Sequence, residues 1–148
     1  MKLVYFEDIV IPQRIEGPSM FLEPSEMVSF AKTWNPLPIH LVGGSDGIPT
    51  ASGAMLLALR LRLIHQMDTQ LAVIVSFGYD EVRFHRPAYA KDQLTLIMEY
   101  LEKRPSSSKP DRGIVTMRQS LLNKNQETVM SLIDTILVRK RLIKEPDH

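Results

Sequence analysis

The chain contains no cysteine. Disulfides, thiolate catalysis and cysteine metal sites are therefore excluded. It has no excess of charge of one sign either: the formal net charge is +1 over 148 residues. Nothing in that balance supports nucleic-acid binding. The basic cluster Arg139-Lys140-Arg141 reads as a solvated strand end. The opening Met1-Lys2-Leu3-Val4-Tyr5-Phe6-Glu7-Asp8 is interrupted by acids and does not read as a signal peptide. The most apolar stretch, Ala51 to Met67, carries Arg60, Arg62 and His65 and is too short and too charged to span a bilayer. The four histidines lack metal-ligand spacing, and no internal repeat is evident. What is left is a single soluble domain, expected to be cytoplasmic, with 44% hydrophobic residues to build a core.

The first 19 residues read as an irregular segment punctuated by Pro12, Gly17 and Pro18. Ser25 is placed to cap a short helix from about Glu26 to Lys32, which must end near Trp34 because Pro36 and Pro38 follow. The stretch 41–49 is a glycine-rich loop. Ala51 to Met67 is a long helix, apolar nearly all round in its first half and hence buried on most sides. Burying Leu56, Leu57, Leu59, Leu61, Leu63 and Ile64 would contribute roughly 1.5–3 kcal/mol each as an upper estimate.

Beyond the helix the period changes to two. Leu71 to Phe77 and Glu81 to His85 read as strand, with Gly78-Tyr79-Asp80 marking a bulge or bend. Leu94 to Glu102, Gly113 to Leu122 and Thr128 to Arg139 are further strands, the last two joined by the hairpin signal Asn123-Lys124-Asn125-Gln126. Val115, Met117, Gln119 and Leu121 share one face of their strand. Met130, Leu132, Asp134, Ile136 and Val138 share one face of theirs. A helix followed by a run of strands implies an α+β layer fold, an antiparallel sheet curved around one long helix, which is the hot-dog architecture.

Trp34-Asn35-Pro36-Leu37-Pro38-Ile39-His40 sets a polar amide and an imidazole five positions apart on a proline-stiffened loop. Thr50-Ala51-Ser52-Gly53 opens the long helix with small residues. Together they suit a water-handling pair and a backbone donor for a carbonyl oxygen. His40 can exchange protons near neutral pH. The Gly53 amide lies at a helix N-terminus, where free N–H groups and the dipole favour an oxyanion and no Cβ obstructs approach. Ser52 reads as a helix N-cap more readily than as a nucleophile, since no triad partner pattern surrounds it. Asn35 suits both turn-making and water positioning. Asp46 is a loop acid, the one carboxylate close to the helix start. His65 reads as a solvated residue at the helix end, and Arg83 with His85 as a surface pair that can edge the site.

These strings, with Tyr5-Phe6-Glu7-Asp8, Asp80-Glu81-Val82-Arg83-Phe84-His85-Arg86-Pro87, Asp92-Gln93-Leu94 and Glu102 to Gly113, resemble in order and spacing the MaoC-like dehydratases, the hot-dog family that includes (R)-specific enoyl-CoA hydratases. The resemblance covers most of the chain. It implies a hydro-lyase acting on enoyl or 3-hydroxyacyl thioesters of CoA or an acyl carrier, without a cofactor. It places the catalytic aspartate and histidine at Asn35 and His40, and the helix-opening glycine at Gly53. It also implies a dimer or higher assembly whose acyl tunnel is bordered by both chains, and an exposed sheet edge gives an independent reason to expect pairing. Two departures stand out: an asparagine occupies the aspartate position, and Leu41-Val42-Gly43-Gly44 opens a shortened path to Ser52. They leave two alternatives open, a hot-dog thioesterase that would use Asp46, and a non-catalytic acyl-thioester-binding or assembly subunit.

Overall fold

A computed structural model describes residues 1–141. Five strands form one antiparallel sheet in the order β2 (Gln13–Phe21), β5 (Gln93–Pro105), β6 (Arg112–Leu122), β7 (Thr128–Arg139) and β4 (Val73–Phe84). The sheet curves around α3 (Gly53–His65), so the fold is the α+β hot-dog expected from the strand and helix order. Two short strands, β1 (Lys2–Val4) and β3 (Thr69–Leu71), pair in parallel at one end.

The inner face of the sheet is the one marked by alternation. Leu94, Leu96, Met98 and Tyr100 of β5 are buried with Val115, Met117 and Leu121 of β6 and Met130, Leu132, Ile136 and Val138 of β7. They pack with Met55, Leu56, Leu59 and Leu63 of α3 in one core. Period-two patterning puts one apolar row per strand on the helix side, and burying those rows is what holds the sheet to the helix.

Several boundaries differ from the sequence reading. The helix is two residues shorter at each end, Gly53–His65 in place of Ala51–Met67, because Thr50 forms an isolated bridge with Tyr89 and the Ala51 amide donates to the Ala88 carbonyl. The N-terminal segment is not irregular: it supplies β1 and the edge strand β2, with Phe6–Asp8 as a 3-10 turn between them. β2 tolerates Gly17 and Pro18 because its register slips between Glu16 and Ser19, and an edge strand needs only one set of ladder bonds. The first long helix, α1 (Pro24–Trp34), is capped by Glu23, whose carboxylate accepts from the Glu26 amide. Ser25 donates its hydroxyl to Glu23, and Pro24 occupies the first helical position, where its missing N–H costs nothing. The two strand pieces around Gly78 are one long strand, β4, bulged where Gly78 adopts a φ of 148°.

The cluster at the end of β7 does more than face solvent. Arg141 grips the Asp8 carboxylate through two nitrogens at 2.5 and 2.6 Å, and this holds the Asp8 carboxyl below the usual carboxylate range.

Candidate functional site

Asn35 and His40 sit where α1 ends and a single further helical turn begins. Asn35 is the C-terminal cap of α1, half-buried, with its amide N–H donating to the Ala31 carbonyl. The turn that follows, α2 (Pro38–Leu41), carries His40, so the imidazole is on a helical turn and not on an extended loop. Pro38 starts that turn because its fixed φ is already helical. The chain then loops out and returns at Thr50, whose N–H donates to the Ile39 carbonyl at 3.0 Å.

That return fixes the imidazole. His40 Nδ1 lies 2.8 Å from the Thr50 carbonyl oxygen. A carbonyl only accepts, so Nδ1 carries the proton and donates. In the neutral ring Nε2 is then the basic nitrogen. Thr50 is buried and stands three residues before Gly53, so their α-carbons are at most about 11 Å apart. Thr50 therefore ties the histidine to the start of α3.

At the start of α3, Ser52 is 2% exposed and its Oγ accepts from the Met55 amide at 3.2 Å. Its hydroxyl is used as a cap. The amides of Gly53 and Ala54 come before the first amide that donates within the helix, Leu56 to the Ser52 carbonyl, so the helix N-terminus keeps donors for an oxygen. Gly53 also meets a close neighbour. A Cβ built there would lie 2.5 Å from the Phe84 ring of β4, so glycine is what lets the edge strand approach the helix. Of the two roles foreseen for Gly53, the close helix-sheet packing is the one this contact displays.

The remaining candidates lie apart. Asp46 is exposed and accepts from the Ile48 amide at 2.9 Å, a local turn contact. His85 Nε2 pairs with Ser131 Oγ at 2.7 Å on the exposed side of the sheet edge, and Arg83 donates to the Val82 carbonyl. His65 is exposed in the last turn of α3. Among the described residues no group of three or more His, Cys, Asp or Glu could hold a metal. No helix there is long and apolar enough to cross a membrane.

One polar group escaped the sequence reading. Arg60, in the middle of α3, is fully buried and lines a cavity of about 490 Å³ between the C-terminal half of the helix and the sheet. The signal was there: Arg60 is a cation on the row of α3 that also carries Leu56, Leu59 and Leu63, the side that is buried while Leu61 and Arg62 are exposed, and Gln119 and Asp134 are polar residues on rows that are otherwise apolar.

No family model matches the chain, and no curated protein does. Solved structures do. A MaoC-like dehydratase from Rhodospirillum rubrum is 26% identical with a TM-score of 0.84, covering 95% of this chain and 99% of that one. A monoamine oxidase regulatory protein from Archaeoglobus fulgius is 28% identical with a TM-score of 0.81, covering 96% and 98%. The R-hydratase PhaJ1 from Pseudomonas aeruginosa, 20% identical with a TM-score of 0.71 over 97% and 94%, shares the fold. Subunit complexes and a double hot-dog chain share it too. The neighbours are thus MaoC-like dehydratases, R-hydratases and hot-dog proteins, the family that the sequence motifs resemble.

Proposed function

We propose that the chain is a MaoC-like hydro-lyase that adds water to, or removes it from, an acyl thioester of CoA or an acyl carrier, with His40 as the only proton-transferring side chain. The observation that carries this reading is the Nδ1–H bond from His40 to the Thr50 carbonyl, three residues from the free amides of α3. It leaves Nε2 free to act as a base, and the same return of the chain leads within three residues to the donor amides of α3.

In hydration, Nε2 takes one proton from water as its oxygen bonds to the β-carbon of the enoyl thioester. Negative charge passes to the thioester oxygen, which the Gly53 amide holds. The imidazolium then returns the proton to the α-carbon, so H and OH are both delivered and the ring is restored. The Thr50 carbonyl accepts from Nδ1–H throughout and stabilises the imidazolium. Asn35 orients the water, since an amide both donates and accepts but is no carboxylate base.

Self-association belongs to the same reading. β4 is an edge strand with Val73, Val75, Phe77 and Phe84 all exposed, a surface suited to pairing with a second hot-dog subunit. Asn35 in place of a carboxylate favours, as the second reading, an acyl-thioester-binding subunit; Asp46, the acid a thioesterase would use, accepts from the Ile48 amide in its own turn.

A spectrophotometric assay of enoyl-CoA loss tests the assignment, run beside a thiol-release assay for hydrolysis. Wild type is expected to hydrate slowly, His40→Ala to fall by about 10²–10⁴-fold, and Asn35→Asp to run faster than wild type. An active wild type with an equally active His40→Ala refutes the role of the imidazole. Tight thioester binding with neither signal moves the protein to the binding class.

A further inference from the structure

Arg60 is 0% exposed, and one of its three nitrogens is spoken for: Nη1 donates to Gln119 Oε1. Gln119 Nε2 in turn donates to Asp134 Oδ2 at 3.3 Å, and Ser76 Oγ donates to Asp134 Oδ1 at 2.7 Å. The Asp134 carboxylate is therefore supplied with donors without touching Arg60. Among the described residues Nε and Nη2 of Arg60 have no partner. Those two N–H groups form one edge of the guanidinium, the edge that matches both oxygens of a carboxylate. A buried charge with a free fork is costly, and its presence calls for a ligand.

Its position points the same way. Arg60 follows Gly53 by seven residues, so the two lie on one face of α3, about 10 Å apart along the axis. β4 runs over the same face: the Phe84 ring packs on Gly53, and the Tyr79 ring lies 4.6 Å from the Arg60 guanidinium. The Arg60 end of this stripe lines the 490 Å³ cavity together with Tyr79, Gln119, Asp134 and Tyr100.

We infer that this cavity takes the far end of the acyl chain, and that the end it takes is a carboxylate, held two-pronged by Nε and Nη2 of Arg60. The inference rests on the acyl-thioester reading and narrows it to monothioesters of dicarboxylic acids. Tyr79, 39% exposed on the edge strand, is the side chain that turns to admit the carboxylate and then stacks on the guanidinium.

Isothermal titration with saturated thioesters, which cannot be hydrated, separates binding from turnover. Adipyl-CoA and suberyl-CoA are compared with hexanoyl-CoA and octanoyl-CoA on wild type, Arg60→Met and Arg60→Lys. Wild type is expected to bind at least one dicarboxylic thioester about tenfold or more tightly than its length-matched partner. Arg60→Met should lose that preference, and Arg60→Lys should keep only part of it, having charge but no fork. Equal or weaker binding of the dicarboxylic thioesters by wild type overturns the inference, as does a preference that survives in Arg60→Met. The wild-type comparison decides even where a variant does not fold. If the monocarboxylic thioesters bind and the added carboxylate contributes nothing, this inference falls alone. If no thioester binds, the acyl-thioester reading falls with it.

Discussion

Replacing Gly53 by alanine tests how the helix start and the edge strand share space. The added Cβ would stand 2.5, 2.8 and 2.9 Å from three atoms of the Phe84 ring, closer than carbon atoms pack. Overpacking of this kind costs about 1–3 kcal/mol. Alanine also gains up to about 1 kcal/mol over glycine as a helix former. The net expectation is destabilisation of about 0–3 kcal/mol. Stability alone is thus ambiguous, but a double-mutant cycle is not. In a Phe84→Ala background the clash is gone and only the helix gain remains, so Gly53→Ala becomes neutral or stabilising. The coupling between the two positions should be about 1–3 kcal/mol, measured by urea unfolding of wild type, both single variants and the double variant. A coupling below about 0.5 kcal/mol would mean that the ring swings aside freely, and the close approach would not explain the glycine.

Two further outcomes follow from the fold. Burial pushes the Tyr100 hydroxyl from its ordinary 10.0 up to about 12, so the stability linked to its neutral form is complete below pH 10 and is lost as pH rises from 10 to 12. The loss approaches 2–3 kcal/mol, on the order of two pKa units. Tyr100→Phe should be spared it, and unfolding curves for the two proteins that stay parallel across that window contradict the burial argument. Phe77 is 59% exposed on the edge strand β4, and Phe77→Lys should convert a dimer to monomer in sedimentation velocity at micromolar concentration. A wild type that sediments as a monomer removes the case for pairing through this edge.

The parts of the fold that could be read from residue order are those where one face is wet and the other dry. β6 from Arg112 to Gln119 and β7 from Met130 to Val138 have their buried residues at mainly alternate positions, and those rows face the core with α3. Gly78 marked its bulge because the backbone there has a φ that other residues rarely adopt. β2 was missed because Gly17 and Pro18 are turn residues in most contexts, and nothing local says that an irregular edge will pair with β5. The α1 cap was misplaced by two residues, since Glu23 does a job that Ser25 performs more often. In the site, residue types were legible and contacts were not. The bond from His40 to Thr50 spans ten residues and depends on the loop folding back. The burial of Arg60 depends on strands that lie later in the sequence.

Under the proposed function, Asn35 and the Thr50 carbonyl bear on one question, how a single histidine would manage both proton transfers. A carboxylate partner would hold charge next to the imidazolium and share the protons. The Thr50 carbonyl holds no charge, but it accepts from Nδ1 in both ring states and so keeps the same nitrogen, Nε2, available for taking and returning the proton. Asn35, at the end of α1, is held by its backbone and adds no charge to compete with the developing enolate. Under that proposal the site would keep its geometry and give up basicity. Asn35→Asp is then expected to raise the hydration rate above wild type in the enoyl-CoA assay, and an unchanged rate would count against a water-handling role for position 35.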